Sequence, residues 1–352
     1  MATQPNSDPG SLFAFALGVS RENRAGQTID CYFPAPLRGV GGDLGALIRA
    51  HFETGTGACS PEQSARFADR VQETVESGLA EGFTSSVRSL AEADRPLRVV
   101  RLDEDGPIGH TAEAYLKLHL LSHRLALPNT LNLEKIFAHL PNVAWTSRGA
   151  VDLADLDQAL LAARVRGEHL EVTSVDKFPR MTNYVVPSGV RIADASRIRL
   201  GAYLGEGTTV MHEGFVNFNA AALGPNMIEG RISQGVIVGE HSDLGGSSST
   251  MGTLSGGGEI TIAIGKNCLI GANAGTGIPL GDRCTIEAGL YITAGTKVAV
   301  KDETGETVKV IKARELAGGS DMLFIRNGQT GQIECRSNRR AIALNEQLHA
   351  HN

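Results

Sequence analysis

Glu229 and Arg231 stand two residues apart in the segment MIEGRIS. In an extended stretch, residues i and i+2 project to the same face. A guanidinium beside a carboxylate keeps it ionised, or can instead hold a carboxylate of a ligand. Such a carboxylate can serve as a general base or as a nucleophile, and the residues alone do not choose between these roles. The bland reading is a solvated surface ion pair. Further on, Gly245 to Gly258 (GGSSSTMGTLSGGG) offers backbone N–H groups with little side chain in their way, although Gly-rich loops are also common as plain turns. His119 and His123, at i and i+4, have the spacing of a zinc-binding helix, but no acidic or third ligand follows at motif spacing. We read them as a helix face carrying two histidines.

A repeat must position these groups. Aliphatic residues recur every sixth position through Ile192, Ile198, Leu204, Val210 and Val216, then Ile232, Val238 and Leu244, then Ile264 and Ile270, then Leu280, Ile286, Ile292 and Val298. Gly265, Gly271 and Gly277, then Gly289 and Gly295, keep the same step. A period of six is neither helical nor a simple strand alternation. It fits a short strand plus a turn, repeated. Three such sides close a triangular coil of about 18 residues with the aliphatics inward. Glycines are expected at corners needing positive φ. Glu213 to Gly230 and Gly245 to Gly258 abandon the step, and such interruptions are expected as surface loops at the binding face.

The rest of the chain reads differently. Over residues 1–120 we expect an α/β domain, with strands at Ser11–Val19, Thr28–Phe33 and Leu97–Leu102. Helices are expected from Gly42 to Phe52 and from Ser60 onward, where Ser60, Pro61 and Gln63 form an N-cap, a first-position proline and a capping box. Phe67, Val71 and Val75 continue that face and Gly78 ends it. Residues 121–186 are expected to be a helical, connecting region, with a helix at Asp152–Arg166. Leu116, Leu120 and His123 are expected on one helix face. The β-helix spans 187–300 and a C-terminal extension spans 301–352. The fold is therefore mainly β, with an N-terminal α/β domain.

Composition agrees with a slim, turn-rich coil. Glycine is 42 of 352 residues and aromatics are 5%, against about 7% glycine in average chains. A net charge of −6 without a basic block argues against nucleic acid or an anionic membrane as partner. No apolar run has transmembrane length. Five scattered cysteines without C-x-x-C read as reduced thiols in a cytoplasmic protein.

Several long segments narrow the reading: LKLHLLSHRL, LPNVAWTSRGAVDL, SVDKFPRMTNYVVPSGVRI, TTVMHEGFVNFNA, MIEGRIS, STMGTLSGGG, LIGANAGTGIPLGD and IEAGLYITAGTKV. From about Ser11 to the C-terminus the chain resembles the longer bacterial type of the tetrahydrodipicolinate N-succinyltransferases. They belong to the hexapeptide-repeat acyltransferases, which are homotrimers of left-handed parallel β-helices with active sites between prisms. The resemblance implies transfer of succinyl from succinyl-CoA to a cyclic dicarboxylate in lysine and diaminopimelate biosynthesis. It gives N-succinyl-2-amino-6-oxopimelate and CoA.

The resemblance also assigns residues. Glu229 matches the essential carboxylate, as general base or as nucleophile forming an anhydride. Arg231, Gly246 and Ser249 match succinyl-CoA contacts, and Gly252 is expected to let the chain approach the reacting carbonyl. Ala272, Glu287, Ala288 and Gly295 match positions along the pantetheine arm. Lys309 and Ile325-Arg326-Asn327-Gly328 match the phosphate end, where the family usually reads Arg-Arg-Asn-Ser, so Ile325 and Gly328 are departures. Glu213 matches a magnesium ligand shared by three subunits on their axis. A second metal position, normally Asp, is Ser196 here, which argues against a second ion. His212 is expected as a packed or hydrogen-bonded residue rather than a ligand.

Two other readings are open. An acyltransferase on the same scaffold with another donor or acceptor, such as acetyl-CoA or a sugar, would be separated by donor competition. A non-enzymatic trimeric solenoid resembling a carbonic anhydrase without its metal is disfavoured as a zinc protein, since residues 190–300 hold only His212 and His241.

Overall fold

The computed structural model describes residues 11–53, 55–74, 80–253 and 260–338. The chain forms two compact units, Met1–Leu120 with Leu131–Pro179, and Leu121–Thr130 with Arg180–Asn352.

In the first unit, strand Leu12–Glu22 pairs antiparallel with Thr28–Tyr32, Leu37–Val40 and Leu97–Leu102, and Thr56–Cys59 adds to the last of these. Helices Gly42–His51, Pro61–Thr74 and Ala80–Leu90 supply the facing apolar surface. Phe15, Phe52, Phe67 and Phe83 meet in its core. Ser60 Oγ accepts from Gln63 N at 3.1 Å, as the capping pattern predicts. Val75 and Gly78, expected to continue and end that helix, lie outside the described residues. Leu116 and Leu120 are fully buried on the helix Thr111–Ser122.

Residues 121–186 are not simply helical. Val143–Thr146, Gly149–Asp152 and Val172–Asp176 form a three-stranded antiparallel sheet. The expected helix does run from Leu153 to Val165, capped by Asp152, whose side chain accepts from Ala154 N.

In the second unit the period of six becomes three parallel sheets. One stacks Leu204, Ala222, Val238 and Ile264. A second stacks Ile192, Val210, Ile228, Leu244, Ile270, Ile286 and Phe324. The third stacks Val216 on Ile232, and Thr250, Thr276 and Ile292 on one another. From Val210 to Phe324 the second row is at most 1% exposed, so along this side each coil buries one large apolar residue on its copy in the next. Two threonines interrupt the third row without cost, because Thr250 Oγ1 donates to Arg231 O (3.1 Å) and Thr276 Oγ1 to Ile278 O (2.7 Å). Beyond the coils, Lys297–Lys301, Thr307–Lys312, Met322–Arg326 and Ile333–Ser337 extend the second sheet, with Met322–Arg326 stacked parallel on Thr285–Ile286.

Two expectations need correction. Glu213–Gly230 is not a loop: Phe215–Val216, Ala220–Ala222 and Asn226–Ile228 are strands of all three sheets. Small alanines replace the aliphatic step there, so the period fails while the coil continues. Gly245–Gly258 also begins inside the coil, with Ser249–Thr250 a strand. The departure starts at Met251, and residues 254–258 lie outside the described part. The expectation for corner glycines holds only in part. Positive φ falls on Gly207, Gly235 and Gly289, but also on Asn219, His241, Ser247, Asn267, Asn273 and Arg283, whereas Gly265, Gly271 and Gly277 do not adopt it. Gly271 is required for close approach instead: a Cβ there would lie 2.5 Å from Ala288 N.

Candidate active site

The corner between the second and third sheets gathers the residues singled out above. Backbone bonds run from Glu229 N to Leu244 O (2.8 Å), Gly245 N to Ile270 O (2.8 Å), Gly271 N to Ile286 O (2.8 Å) and Glu287 N to Phe324 O (3.0 Å). That register stacks Glu229, Gly245, Gly271, Glu287 and Ile325 in one row. Gly230, Gly246, Ala272, Ala288 and Arg326 follow in the next. Ala272 and Ala288 are exposed, so the corner presents backbone and methyl groups along several coils, a track on which an amide-bearing chain can lie.

Glu229 is half-buried at the start of this track. Ile228 before it and Ile232 beyond it point into the core. Gly230 has no room for a side chain, since a Cβ would meet Ser248 Oγ at 2.1 Å and Ser248 O at 2.6 Å. A Cβ on Gly246 would lie 3.6 Å from Glu229 Oε2 and 3.5 Å from Glu213 Oε2. Two carboxylates therefore face one glycine, and Ser247 Oγ donates to Glu213 Oε2 at 3.3 Å. Glu213 and His212 are both exposed, so of the two expectations for His212, packed or hydrogen-bonded, packing within its own chain does not hold. Arg197 fixes the backbone beneath Glu213, donating from Nη2 to Glu213 O (2.9 Å) and from Nε to Gly214 O (3.3 Å).

Arg231 does not sit beside Glu229 in an ion pair among the described residues. Its Nη2 donates to Ser249 Oγ at 2.7 Å and its Nε to the same atom at 3.3 Å. The i, i+2 rule fails because the chain turns a corner between the two residues: Glu229 ends one side and Arg231 begins the next. Arg231 stays exposed, so its guanidinium is braced by a serine yet open to an anion. Gly252 lies at the foot of the departing segment, where a Cβ would meet Gln234 O at 3.1 Å.

The far end of the track is the hairpin Met322–Ser337. Arg326 is exposed, its N donates to Glu287 Oε2 at 2.7 Å, and its Nη1 to Gly331 O at 3.3 Å. Asn327 is a turn residue rather than a free donor. Its Oδ1 accepts from Gln329 N and Thr330 N, and its Nδ2 donates to Glu334 Oε1 at 2.9 Å. Gly328 and Gly295 are exposed, Ile325 half-buried. Lys309 is exposed opposite Val300, which pairs with Cys335, which pairs with Phe324. At about 4.8 Å per strand that is about 14 Å from the Phe324 row.

Glu334 organises this hairpin. Only 1% of its side chain is exposed, and it also binds Arg336 Nε (3.0 Å) and faces Lys301 Nζ (3.7 Å). The Asn327 and Arg336 hydrogen bonds hold its carboxyl below the usual range. A depressed folded-state value contributes stability above the unfolded value, and that stability is lost as pH falls through the folded one. Amide protection across residues 322–337 should therefore fall as the pH drops below about 4.3, the unperturbed glutamate value, and go on falling through the lower folded-state one. Glu334→Gln should start lower and show a flattened acid response. An unchanged response in the variant contradicts this role.

Sequence reasoning missed the outer face of the third sheet. Phe215, Arg231 and Ser249 form one outward row, continued by Gly275 and Tyr291. Arg197 and Arg199 lie 5.9 and 6.0 Å from the Phe215 ring centre. The available signal was each residue's place immediately before an inward position of the repeat.

Among the described residues no three His, Cys, Asp or Glu side chains gather where a metal ion could be held; Glu213 by itself offers one part of an oxygen donor set. With Ser247 Oγ it presents an exposed carboxylate and a hydroxyl, oxygens only, as hard cations prefer. Ser196 fits less well, because its N and Oγ both donate to Asp194 Oδ1, at 2.8 and 2.7 Å. The five cysteines are free and buried. His119 is a core residue, its Nδ1 at 2.7 Å from Tyr115 O and its Nε2 accepting from Phe33 N at 3.3 Å. Among the described residues no helix is long and apolar enough to cross a membrane.

Comparison with known proteins gives consistent matches. Residues 140–180 match the family model "Tetrahydrodipicolinate N-succinyltransferase middle", and 261–294 match "Hexapeptide repeat of succinyl-transferase". A 2,3,4,5-tetrahydropyridine-2,6-dicarboxylate N-succinyltransferase of Pseudomonas aeruginosa is 56% identical over 346 residues, 97% of this chain and 99% of that protein. The Vibrio cholerae protein of the same name is 50% identical over 350 residues, 97% of this chain and all of its own. A crystal structure from Campylobacter jejuni, titled a putative 2,3,4,5-tetrahydropyridine-2-carboxylate N-succinyltransferase, superposes with a TM-score of 0.85 at 28% identity. The match covers 96% of this chain and 95% of that one.

Proposed function

Since the chain belongs to the tetrahydrodipicolinate N-succinyltransferase family, we propose that its reaction runs at the corner stacking Glu229, Gly246, Ala272 and Ala288. It is an acyltransferase, moving succinyl from succinyl-CoA to tetrahydrodipicolinate in lysine and diaminopimelate biosynthesis. The single observation that carries the site is the register that lines these four residues along one open corner.

The pantetheine arm runs along that corner, its amides meeting backbone groups between the two alanines. Arg326 and Lys309 serve the phosphates, with Asn327 shaping the turn that presents Arg326. Ile325 and Gly328 line that end, Glu287 braces it through Arg326 N, and Gly295 leaves the path open. Arg231, braced by Ser249, holds a carboxylate of the acyl chain. Glu229 acts at the reacting centre. Water adds across the acceptor's ring C=N bond, which creates the N–H and supplies the oxygen that becomes the 6-oxo group when the ring opens; as base Glu229 takes the proton from that amine as it attacks the thioester carbonyl, the C–N bond forms, the C–S bond breaks and CoA thiolate leaves. As nucleophile it first forms a succinyl anhydride, releasing CoA thiolate, and the amine then displaces the carboxylate. Gly246 keeps the space beside Glu229 clear.

The coil is proposed to wind left-handed and to assemble as a cytoplasmic homotrimer, with the corner meeting a neighbouring copy. The crystal-structure likeness and the exposed corner support this. A divalent ion, magnesium in the family, would be held by Glu213 and its two symmetry copies, supplying charge neutralisation on the axis; Ser196 argues for one ion. Glu213→Gln removes three negative charges per trimer. Bound magnesium measured by elemental analysis should fall below one per trimer while sedimentation still reports a trimer; unchanged magnesium, or a monomer in the parent protein, contradicts the assignment. Competition between succinyl-CoA and acetyl-CoA with the cyclic acceptor tests the donor: succinyl transfer should dominate, and equal use of both would overturn the reading.

A further inference from the structure

Tyr291 lies on the outer face of the third sheet, in the same row as Arg231 and Ser249, with Gly275 between. The glycine is occupied space. A Cβ at Gly275 would lie 2.3 Å from Tyr291 Cε2, 2.6 Å from its Cδ2 and 2.7 Å from Ser249 O. The ring therefore leans out of its own coil across the neighbouring one. Because Cε2 is the nearer atom, the outer half of the ring covers Gly275, which carries the hydroxyl toward the Ser249 coil. Although Gly275 is fully buried beneath it, Tyr291 remains 38% exposed, and its hydroxyl makes no hydrogen bond among the described residues. Packing alone does not require a hydroxyl there.

The neighbouring groups indicate what it serves. Ser249 Oγ accepts from Arg231, so its own proton is left to donate. A guanidinium, a serine O–H and a phenol O–H then share one strip, all donors, beside the corner proposed to carry the thioester. Succinyl and acetyl donors differ by a terminal CH2–COO⁻ group. A site that selects the longer one must pair that carboxylate, and it rejects analogues lacking it because its own donors are then left unpaired.

We infer that the Tyr291 hydroxyl, held over Gly275, donates to the terminal carboxylate of the succinyl chain and is a donor-selecting residue. The inference rests on the placement of the acyl chain at Arg231. The test is titration calorimetry of succinyl-CoA and of free CoA, which lacks the acyl chain, on the full-length protein and on Tyr291→Phe and Arg231→Ala. Tyr291→Phe removes one hydroxyl and leaves the ring over Gly275. Succinyl-CoA affinity should fall roughly 10-fold, the scale of a hydrogen bond to a charged group, while CoA affinity stays within about twofold. Equal losses for both ligands, or no loss for either, would overturn the inference. Arg231→Ala reports separately on the underlying site. If it leaves succinyl-CoA affinity unchanged, the acyl chain is elsewhere; if it weakens succinyl-CoA and Tyr291→Phe does not, only the role of Tyr291 fails.

Discussion

Glu229→Ala is expected to lower succinyl transfer by about 10²–10⁴-fold or more while succinyl-CoA affinity stays within about threefold. The two effects separate because different parts of the structure supply them. Donor affinity comes from the corner, where Ala272, Ala288 and Arg326 lie coils away from Glu229. The carboxylate acts only where bonds change, so its loss appears in turnover and not in binding. The backbone at 229 is tied independently, its N to Leu244 O and its O to Ser247 N, so truncation should leave the corner standing. Hydroxylamine trapping without acceptor separates the two chemical roles. A succinyl anhydride would label Glu229, and a pure base would leave no adduct. Turnover within tenfold of the parent would move the chemistry to another residue, such as Glu213, which faces the same glycine, or Glu287.

Ile270→Ala is expected to cost about 2–5 kcal/mol of stability, the range for a buried isoleucine cut to alanine. Ile270 is fully buried, stacked on Leu244 on one side and Ile286 on the other. On this wall each coil contributes one large side chain, so few neighbours can close the hole. The chain returns from Ile270 to the corner at Gly271 and Ala272, so the cavity opens directly under the proposed donor track. Thermal unfolding should show a lower midpoint, with weakened CoA binding well below it. A midpoint within about 1 °C of the parent would mean that the coil repacks freely, contrary to the close packing of its rows.

The inward rows were legible because a solenoid repeats one environment per side, and burial selects an aliphatic each time. The corners were less so. A positive-φ corner accepts Asn, Ser, His or Arg as well as glycine, so Asn273 and Ser247 carried no visible signal, while Gly271 was conspicuous for a different reason, the nearness of Ala288. Glu229 and Arg231 stood out by type and spacing, but the alternative that pairs them ignored the corner between them. Phe215 and Tyr291 were invisible because an outward residue acquires meaning only through its row. The segment after Met251 breaks the spacing that would have aligned Arg231 with Gly275. Alanines 220–222 hid a full strand by lacking the bulk that marks the period.

The account turns on acyl transfer from succinyl-CoA at Glu229, and the release of free thiol from succinyl-CoA by the purified protein, with and without tetrahydrodipicolinate, measures it most directly. The parent protein should release thiol continuously only when the acceptor is present, one thiol per N-succinyl product, and Glu229→Gln should release none above background. Thiol release independent of the acceptor, or acceptor-dependent release that persists at the parent rate in Glu229→Gln, would contradict it.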